Sequence, residues 1–451
     1  MISFAKRKIH NLISDQRFSE ILTGSAWALG ARVIATVLGM VTSIIIARFY
    51  GADVLGVVAV LNSFLMLATI FTVLGTNTSI LRLIPEHLTK YSPTSAFKVY
   101  RKTQYFVAGV SIITGSFLFF GSGFIANSIF SKPHLQFYFA LGAIFIVFKS
   151  LIDLNTQAVR GVRLIRVFAF MQLLPQLSKL LILVPITIFF YHQDNPIYAM
   201  FASIALTALI GAWVMDRVFK QRSAPTDTLY PMPIKNILAI SLPMLMAASM
   251  FFVIGQTGII MLGIFRPEAE VGYYSVAVKL ATLTSFIGTA ITTIAAPKFS
   301  ELYYKNNISD LFYIARKSTK LMFWASVPIL LFLAIFGKDI LSILYGQEFM
   351  VAYPAIVLIA IGQLVSVSSG ATNAFMNMTG KQKIFRNIII GAAIINIILN
   401  YLLIPVVGMN GAAVAAMASL IFWNISTLVY IKIDYGKTIG YFPFFWIETR
   451  S

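Results

Sequence analysis

The sequence predicts an all-α integral membrane protein: twelve transmembrane helices in two parallel-repeat six-helix bundles around a central cavity. Three observations carry this reading. The 451 residues are 58% hydrophobic and only 11% charged, far too apolar for a soluble chain of this length. The apolar residues form long continuous runs of about 20, the length that crosses a hydrocarbon core, and not the two-residue alternation of a membrane barrel. The Lys and Arg residues gather at every second gap between runs, which marks the cytoplasmic loops.

The twelve runs fall near 21–49, 55–81, 104–130, 137–158, 167–191, 197–215, 236–264, 271–297, 321–336, 351–379, 387–407 and 410–431. On one side lie the N-terminal arm (Lys6, Arg7, Lys8, Arg17), the gaps after runs 2, 4, 6, 8 and 10, and the C-terminal end with Lys432, Lys437 and Arg450. That side takes 27 of the 35 basic residues, and the opposite gaps hold Arg48, Lys132, Arg266 and Lys338. Both termini are therefore expected in the cytoplasm. The formal charge of +19 is used in this asymmetry and in contact with anionic membrane lipids. No basic region stands clear of the membrane to bind nucleic acid. The first ~20 residues are basic and amphipathic with no small-residue cleavage site after them, so an uncleaved start is expected.

A chain with no Cys has no disulfide, thiolate catalysis or cysteine metal site. His10, His87, His134 and His192 fall near or outside the ends of runs and suggest no metal cluster. No GxxxxGK[ST] loop is present, which argues against built-in ATP hydrolysis, and no cofactor is expected. The longest outward gap, near 337–350, is too short for a catalytic domain, so the chain reads as a transporter and not an enzyme.

A repeat appears at an offset of 216 residues: Phe49 to Gly56, between runs 1 and 2, matches Phe265 to Gly272, between runs 7 and 8. A weaker echo pairs Arg160-Gly161 with Thr379-Gly380. Six runs per half is an even number, so both halves enter from the same side as parallel repeats. The expected organisation is a bundle over 1–219, a cytoplasmic linker over 220–235 containing Pro225, Pro231 and Pro233, and a second bundle over 236–451.

Charge at mid-membrane depth is costly and normally marks a substrate route. Arg32, Lys149, Lys179 and Lys279 each fall roughly 12–18 Å into a run at ~1.5 Å rise per residue, against one acid, Asp153. From that depth a lysine stem cannot reach water, so these cations need a partner or a wet cavity. Lys149 and Asp153 are four apart on one helical face and form a natural ion pair. Arg32, Lys179 and Lys279 have no acid nearby in their own runs, and the positive surplus points to an anionic cargo. Gln172 and Gln176 share a face with Lys179, and Asn62 and Gln363 add polar groups to runs 2 and 10. Ser and Thr at helical spacing flank Arg32 (Ser25, Thr36, Ser43) and Lys279 (Ser275, Thr282, Thr289, Thr293), although such hydroxyls often serve only to bond between helices. Arginine's planar fork suits phosphate, and lysine adds a point charge, so the set suits a pyrophosphate head.

The stretch from Gly24 to Glu86, with the junction Ala47-Arg48-Phe49-Tyr50-Gly51 through Gly56, resembles the start of the polysaccharide transporter family of Wzx-type O-antigen flippases. Asn400-Tyr401-Leu402-Leu403-Ile404-Pro405 followed by Gly408, Gly411 and Ala412-Ala413 is similar to that family as well. These short apolar motifs are shared across the wider multidrug, oligosaccharidyl-lipid and polysaccharide exporter superfamily. The resemblance implies a pair of six-helix bundles in the bacterial inner membrane. It implies movement of an undecaprenyl-pyrophosphate-linked oligosaccharide to the periplasmic leaflet by alternating access, with a glycan polymerase and chain-length machinery as downstream partners. Related lipid II flippases carry a cationic cavity on helices that include the first and eighth, where Arg32 and Lys279 fall, but usually have two further helices. An ion-coupled multidrug exporter is the alternative; its intramembrane acids are replaced here by Arg32. A membrane polymerase or ligase acting on the same lipid is a more distant one. A coupling ion, H+ or Na+, is allowed by this reading and not demanded.

Overall fold

The computed structural model describes residues 16–222, 230 and 232–443. The N-terminal arm with Lys6, Arg7, Lys8 and His10, the expected uncleaved start, the linker prolines Pro225 and Pro231, and Arg450 lie outside the described residues. Every element among the described residues is helical. The helices are α1 Gln16–Val73, α2 Thr76–Lys90, α3 Pro93–Phe120, α4 Gln136–Gly161, α5 Ile165–Phe189, α6 Asn195–Arg222 and α7 Ile234–Phe265. They continue as α8 Glu268–Ala281, α9 Ser285–Tyr304, α10 Ile308–Leu344, α11 Tyr353–Ser369, α12 Thr372–Met378, α13 Gln382–Val407 and α14 Met409–Tyr435. Among the described residues, ten helical stretches are long and apolar enough to cross a membrane. One of these, 27–73, covers the first two predicted runs, and α7 covers the seventh.

Local chemistry sets several boundaries. Ser92 caps α3 by accepting from the Ser95 amide, with Pro93 in the first turn, where its missing N–H costs nothing. Asn307 caps α10 in the same way through the Asp310 amide. Arg101 on α3 is bound to Asp216 on α6 at 2.7 Å.

Runs 1 and 2 are two helices, as expected, meeting within α1 at a kink at Gly51, whose φ 84° and ψ 176° only glycine adopts cheaply. Three runs differ from the sequence reading. Run 8 is not continuous: α8 stops at Ala281, a 3-10 turn covers Thr282–Thr284, and α9 resumes at Ser285. Run 10 breaks at Gly370, separating α11 from α12. Run 9 is longer than its apolar core, because α10 extends to Leu344 and a 3-10 turn at Gln347–Ala352 follows almost at once. The predicted outward loop at 337–350 is therefore mostly helix.

By packing, the chain forms two compact units. The first takes the chain up to Thr42, Ala68–Ser122 and Phe137–Leu245. Its core gathers Ile80, Leu83, Ile84, Tyr100, Leu154, Phe168 and Phe219, and Thr72 and Ser150 hydrogen-bond at 2.6 Å between α1 and α4. The second takes Ser43–Leu67, Gly123–Gln136 and the chain from Met246 on. Its core gathers Phe299, Phe312, Phe375, Phe385 and Ile431. Phe117, Phe120 and Ile433 are more than three-quarters exposed, as side chains facing acyl chains are.

The two copies of the 216-residue repeat meet inside the second unit. A Cβ on Gly56 would overlap the backbone carbonyl of Glu268, and a Cβ on Gly272 would overlap that of Ala52. Ala52 and Glu268 are counterparts in the repeat, as are Gly56 and Gly272, so the contact is reciprocal, as between segments related by a two-fold axis. Only glycine permits so close a crossing.

Candidate functional site

In the first unit, α1 and α5 run side by side and in the same direction. Arg166 stacks over the Trp27 ring at 5.9 Å, and twelve residues further along α1 the bare face of Gly39 leaves room for the Gln176 amide, 3.5 Å from where a Cβ would stand. Gln172, Gln176 and Lys179 therefore lie along the α1 seam, and Arg32, two helical turns before Gly39, shares its face. Lys179 comes level with residue 42 of α1, so it and Arg32 stand about 15 Å apart along the helix axes. They form two steps of a ladder, not a single point of convergence. Both have interaction partners within the structure. Arg32 is exposed. Between the two cations the Oε1 of Gln172 is buried without a donor.

On α4, Lys149 Nζ donates to Asp153 Oδ1 at 2.8 Å. The two side chains are 20% and 31% exposed and cancel each other's charge. This is the ion pair their spacing predicts.

In the second unit, Lys279 stands in the last turn of α8, two turns beyond Gly272 and just before the helix breaks. Its repeat counterpart is Ser63, two turns beyond Gly56 on α1. Seven residues return a side chain to nearly the same helical face, so Ser63 and Lys279 leave the glycine crossing on corresponding faces and at the same depth. Ser63 donates to Gln256 Oε1 at 2.8 Å. Lys279 is half-buried, and among the described residues its ammonium makes neither a hydrogen bond nor an ion pair. Asn62 is exposed, with Nδ2 3.6 Å from the Met66 sulfur. Gln363 is 8% exposed on α11. The hydroxyls flanking Lys279 are satisfied locally: Ser275 donates to Gly272 O, Thr282 to Val278 O, and Thr289 and Thr293 to carbonyls four residues back.

Sequence reasoning missed a clasp beside the crossing. Glu268 Oε1 accepts from His134 at 3.0 Å and pairs with Lys132 at 3.3 Å, while Lys132 also donates to Arg266 O at 2.7 Å. Glu270 meanwhile accepts from the Met409 amide at 3.1 Å. Partners more than 130 residues apart leave no periodic signal; the repeat flanking Arg266 and Glu268 was the one available pointer.

Comparison with known proteins agrees with this architecture. The chain is 26% identical over 185 residues to the probable low-salt glycan biosynthesis flippase Agl15 of Haloferax volcanii, covering 39% of either chain. It thus spans about two fifths of that relative's length. Among solved structures it is similar to the lipid II flippase MurJ in an inward closed conformation, with a TM-score of 0.72 at 13% identity over 89% of this chain and 86% of that one. It is also similar to an inward-facing multidrug resistance MATE family transporter of the MOP superfamily, with a TM-score of 0.64 at 14% identity over 91% and 98%. At such identities these structures establish the shared fold. The sequence profile described as "Polysaccharide biosynthesis protein" matches residues 45–354, more than half of the chain and both copies of the glycine crossing. The likeness to polysaccharide transporters carried by the Gly51–Gly56 junction thus holds, and the chain belongs to the polysaccharide biosynthesis protein family.

Proposed function

We propose that this protein is a flippase that moves a lipid-linked oligosaccharide with a pyrophosphate head across the membrane by alternating access. The observation that carries the reading is Lys279: a half-buried ammonium in a membrane-spanning segment, with no counter-charge among the described residues. Such a cation is stabilised when an anion joins it, and the phosphoryl oxygens of a lipid carrier supply one. Arg32 and the ladder of Gln172, Gln176 and Lys179 offer a guanidinium fork and neutral donors for the phosphates and first sugars, and exposed Asn62 adds a further donor. Lys149 and Asp153 form a neutral pair available to sugar hydroxyls. Agl15 is named as a flippase in glycan biosynthesis, which supports this cargo class.

The finer reading follows the sequence. Twelve spans form two parallel six-helix halves joined by the 220–235 linker, with both termini on the cytoplasmic side of a bacterial inner membrane. The carrier is undecaprenyl pyrophosphate bearing an O-antigen-like unit, delivered to a polymerase on the far face. A negative interior favours outward passage of an anion by about 2.3 kcal/mol per charge per 100 mV, so a coupling ion is optional. Export of cationic drugs fits poorly with Arg32 and Lys279 as the principal mid-membrane charges.

The test replaces Lys279 with Gln in cells making normal amounts of protein. Lipid-linked units should accumulate on the cytoplasmic face and surface glycan should fall. Normal surface glycan in a Lys279→Gln, Arg32→Gln double variant would refute the proposal, and sensitivity to cationic dyes with unchanged glycan would favour a drug exporter.

A further inference from the structure

The second unit mixes the two sequence halves. Ser43–Leu67 and Gly123–Gln136 come from the first six runs, yet they pack with the chain from Met246 on. Several ties fasten them there besides the Gly56 and Gly272 crossing. Ser63 donates to Gln256, and Ser43 and Tyr345 share a hydrogen bond at 3.2 Å. Arg48 donates through Nε to Leu344 O at 3.1 Å and through Nη2 to the carbonyls of Ser342 and Ile343, so its guanidinium sits on the open end of α10. The last tie is ionic: Lys132 and His134 meet on Glu268. Arg48, Lys132 and Arg266 all belong to the outward gaps of the proposed topology, so these ties draw the outward ends of both halves together.

The ionic tie is shielded on one side and open on the other. The side chains of Glu268 and Lys132 are 15% and 13% exposed, whereas that of His134 is 62% exposed. Lys132 Nζ and His134 Nε2 stand 3.3 Å and 3.0 Å from the same Oε1. Next to the tie, Val60 and Phe130 cover the bare face of Gly263, and Val60 is 1% exposed.

Of the side chains in these ties, His134 is the one whose charge changes near neutral pH. Arginine, lysine and tyrosine keep theirs, whereas imidazole gains its proton between about pH 8 and 5. Protonation makes the His134–Glu268 contact a charge-assisted hydrogen bond, roughly twice as strong as a neutral one, and sets two cations on one carboxylate oxygen. The other charged groups around it are engaged elsewhere. Arg266 Nε donates to Ile404 O at 3.1 Å and lies 4.0 Å from Glu270, which accepts from the Met409 amide. Asp53 and Glu348 interact with the Tyr273 hydroxyl. Mild acid therefore tightens the tie, until the medium is acidic enough to protonate Glu268 itself.

We infer, resting on alternating access as proposed above, that Lys132, His134 and Glu268 form a proton-tightened latch: protonated His134 helps hold the outward ends of the two sequence halves together and slows outward opening.

The chain has no Cys, so Val60→Cys places a single thiol beside the latch. Its labelling by a polar maleimide is followed on the full-length protein in lipid nanodiscs at about pH 6 and about pH 8, each rate divided by that of the same thiol in unfolded protein at the same pH. The normalised rate should be roughly fivefold higher at about pH 8 than at about pH 6. His134→Gln should label alike at both. Glu268→Gln should label faster still at both, because it also frees Lys132. Arg48→Gln loosens a tie that does not titrate, so it should raise the rate and keep the pH ratio. Equal normalised rates at the two pH values with the latch residues intact, a ratio undiminished by His134→Gln, or a Glu268→Gln rate no higher than that of the intact latch would overturn the inference. The labelling needs no cargo, so its failure is distinguishable from failure of the Lys279 test.

Discussion

Lys149 and Lys279 are the same residue at the same expected depth, one in each packing unit, and the structure treats them in opposite ways. Lys149 has Asp153 one turn away on its own helix, and the pair closes at 2.8 Å. Lys279 has Ser275 and Thr282 at the equivalent spacings, and these spend their hydroxyls on backbone carbonyls. In the proposed function the charge with an acid at i+4 is neutralised within its own helix, whereas the one with only self-satisfied hydroxyls around it is available to an anionic ligand. The unit that holds Lys279 also places a helix break within one turn of it, while α4, which holds Lys149, is continuous from Gln136 to Gly161.

Substitutions should separate the two lysines. The largest effect is expected at Lys279: loss of one charge-assisted hydrogen bond, about 1.5–3 kcal/mol, corresponds to a fall in translocation of roughly 10- to 100-fold in a vesicle assay, with protein abundance unchanged. Equal loss of transport from Lys149→Ala/Asp153→Ala would erase the contrast. Next in size is the crossing that positions Lys279. Gly272→Val forces a side chain into the Ala52 carbonyl and should cost about 1–3 kcal/mol or more, read as lower yield and an earlier melting midpoint. Smaller again is the ion pair itself. Lys149→Ala leaves Asp153 half-buried without its partner and should destabilise by about 1–3 kcal/mol, while the double Lys149→Ala/Asp153→Ala should recover most of that loss in the same melt.

The smallest effect lies outside the membrane spans. Lys381 donates to Asp434 at 2.8 Å beside the rings of Tyr430 and Tyr435. That hydrogen bond, and then the attraction of the carboxylate, hold its pKa up at about 12 against the lowering effect of burial. A pKa raised in the folded state contributes fully below the unfolded value of about 10.4 and is lost as pH climbs through the folded one. The stability difference between wild type and Lys381→Met should therefore stay flat from neutral pH to about 10 and shrink only between about 10 and 12. A difference that changes between pH 6 and 8 would assign the linkage to another group.

The sequence alone determined the class of this protein and much of its charge chemistry. Burial in lipid demands continuous apolar helices whose backbones satisfy themselves, so membrane-length runs such as 167–191 and 387–407 announced α5 and α13 without tertiary information. The Lys149–Asp153 pair was legible because i and i+4 are neighbours on any helix. The Gly56 and Gly272 repeat was legible as a motif, but not its use as a reciprocal crossing, since that contact joins residues 216 positions apart. Where helices break was decided in three dimensions. Thr282–Thr284 carries neither Gly nor Pro, and its 3-10 turn exists where the chain packs on α10 and α11. The same holds for the hydroxyls of Thr284 and Ser326: nothing in their own helices marks them, and only helix-to-helix packing, which local periodicity does not encode, buried them without a partner.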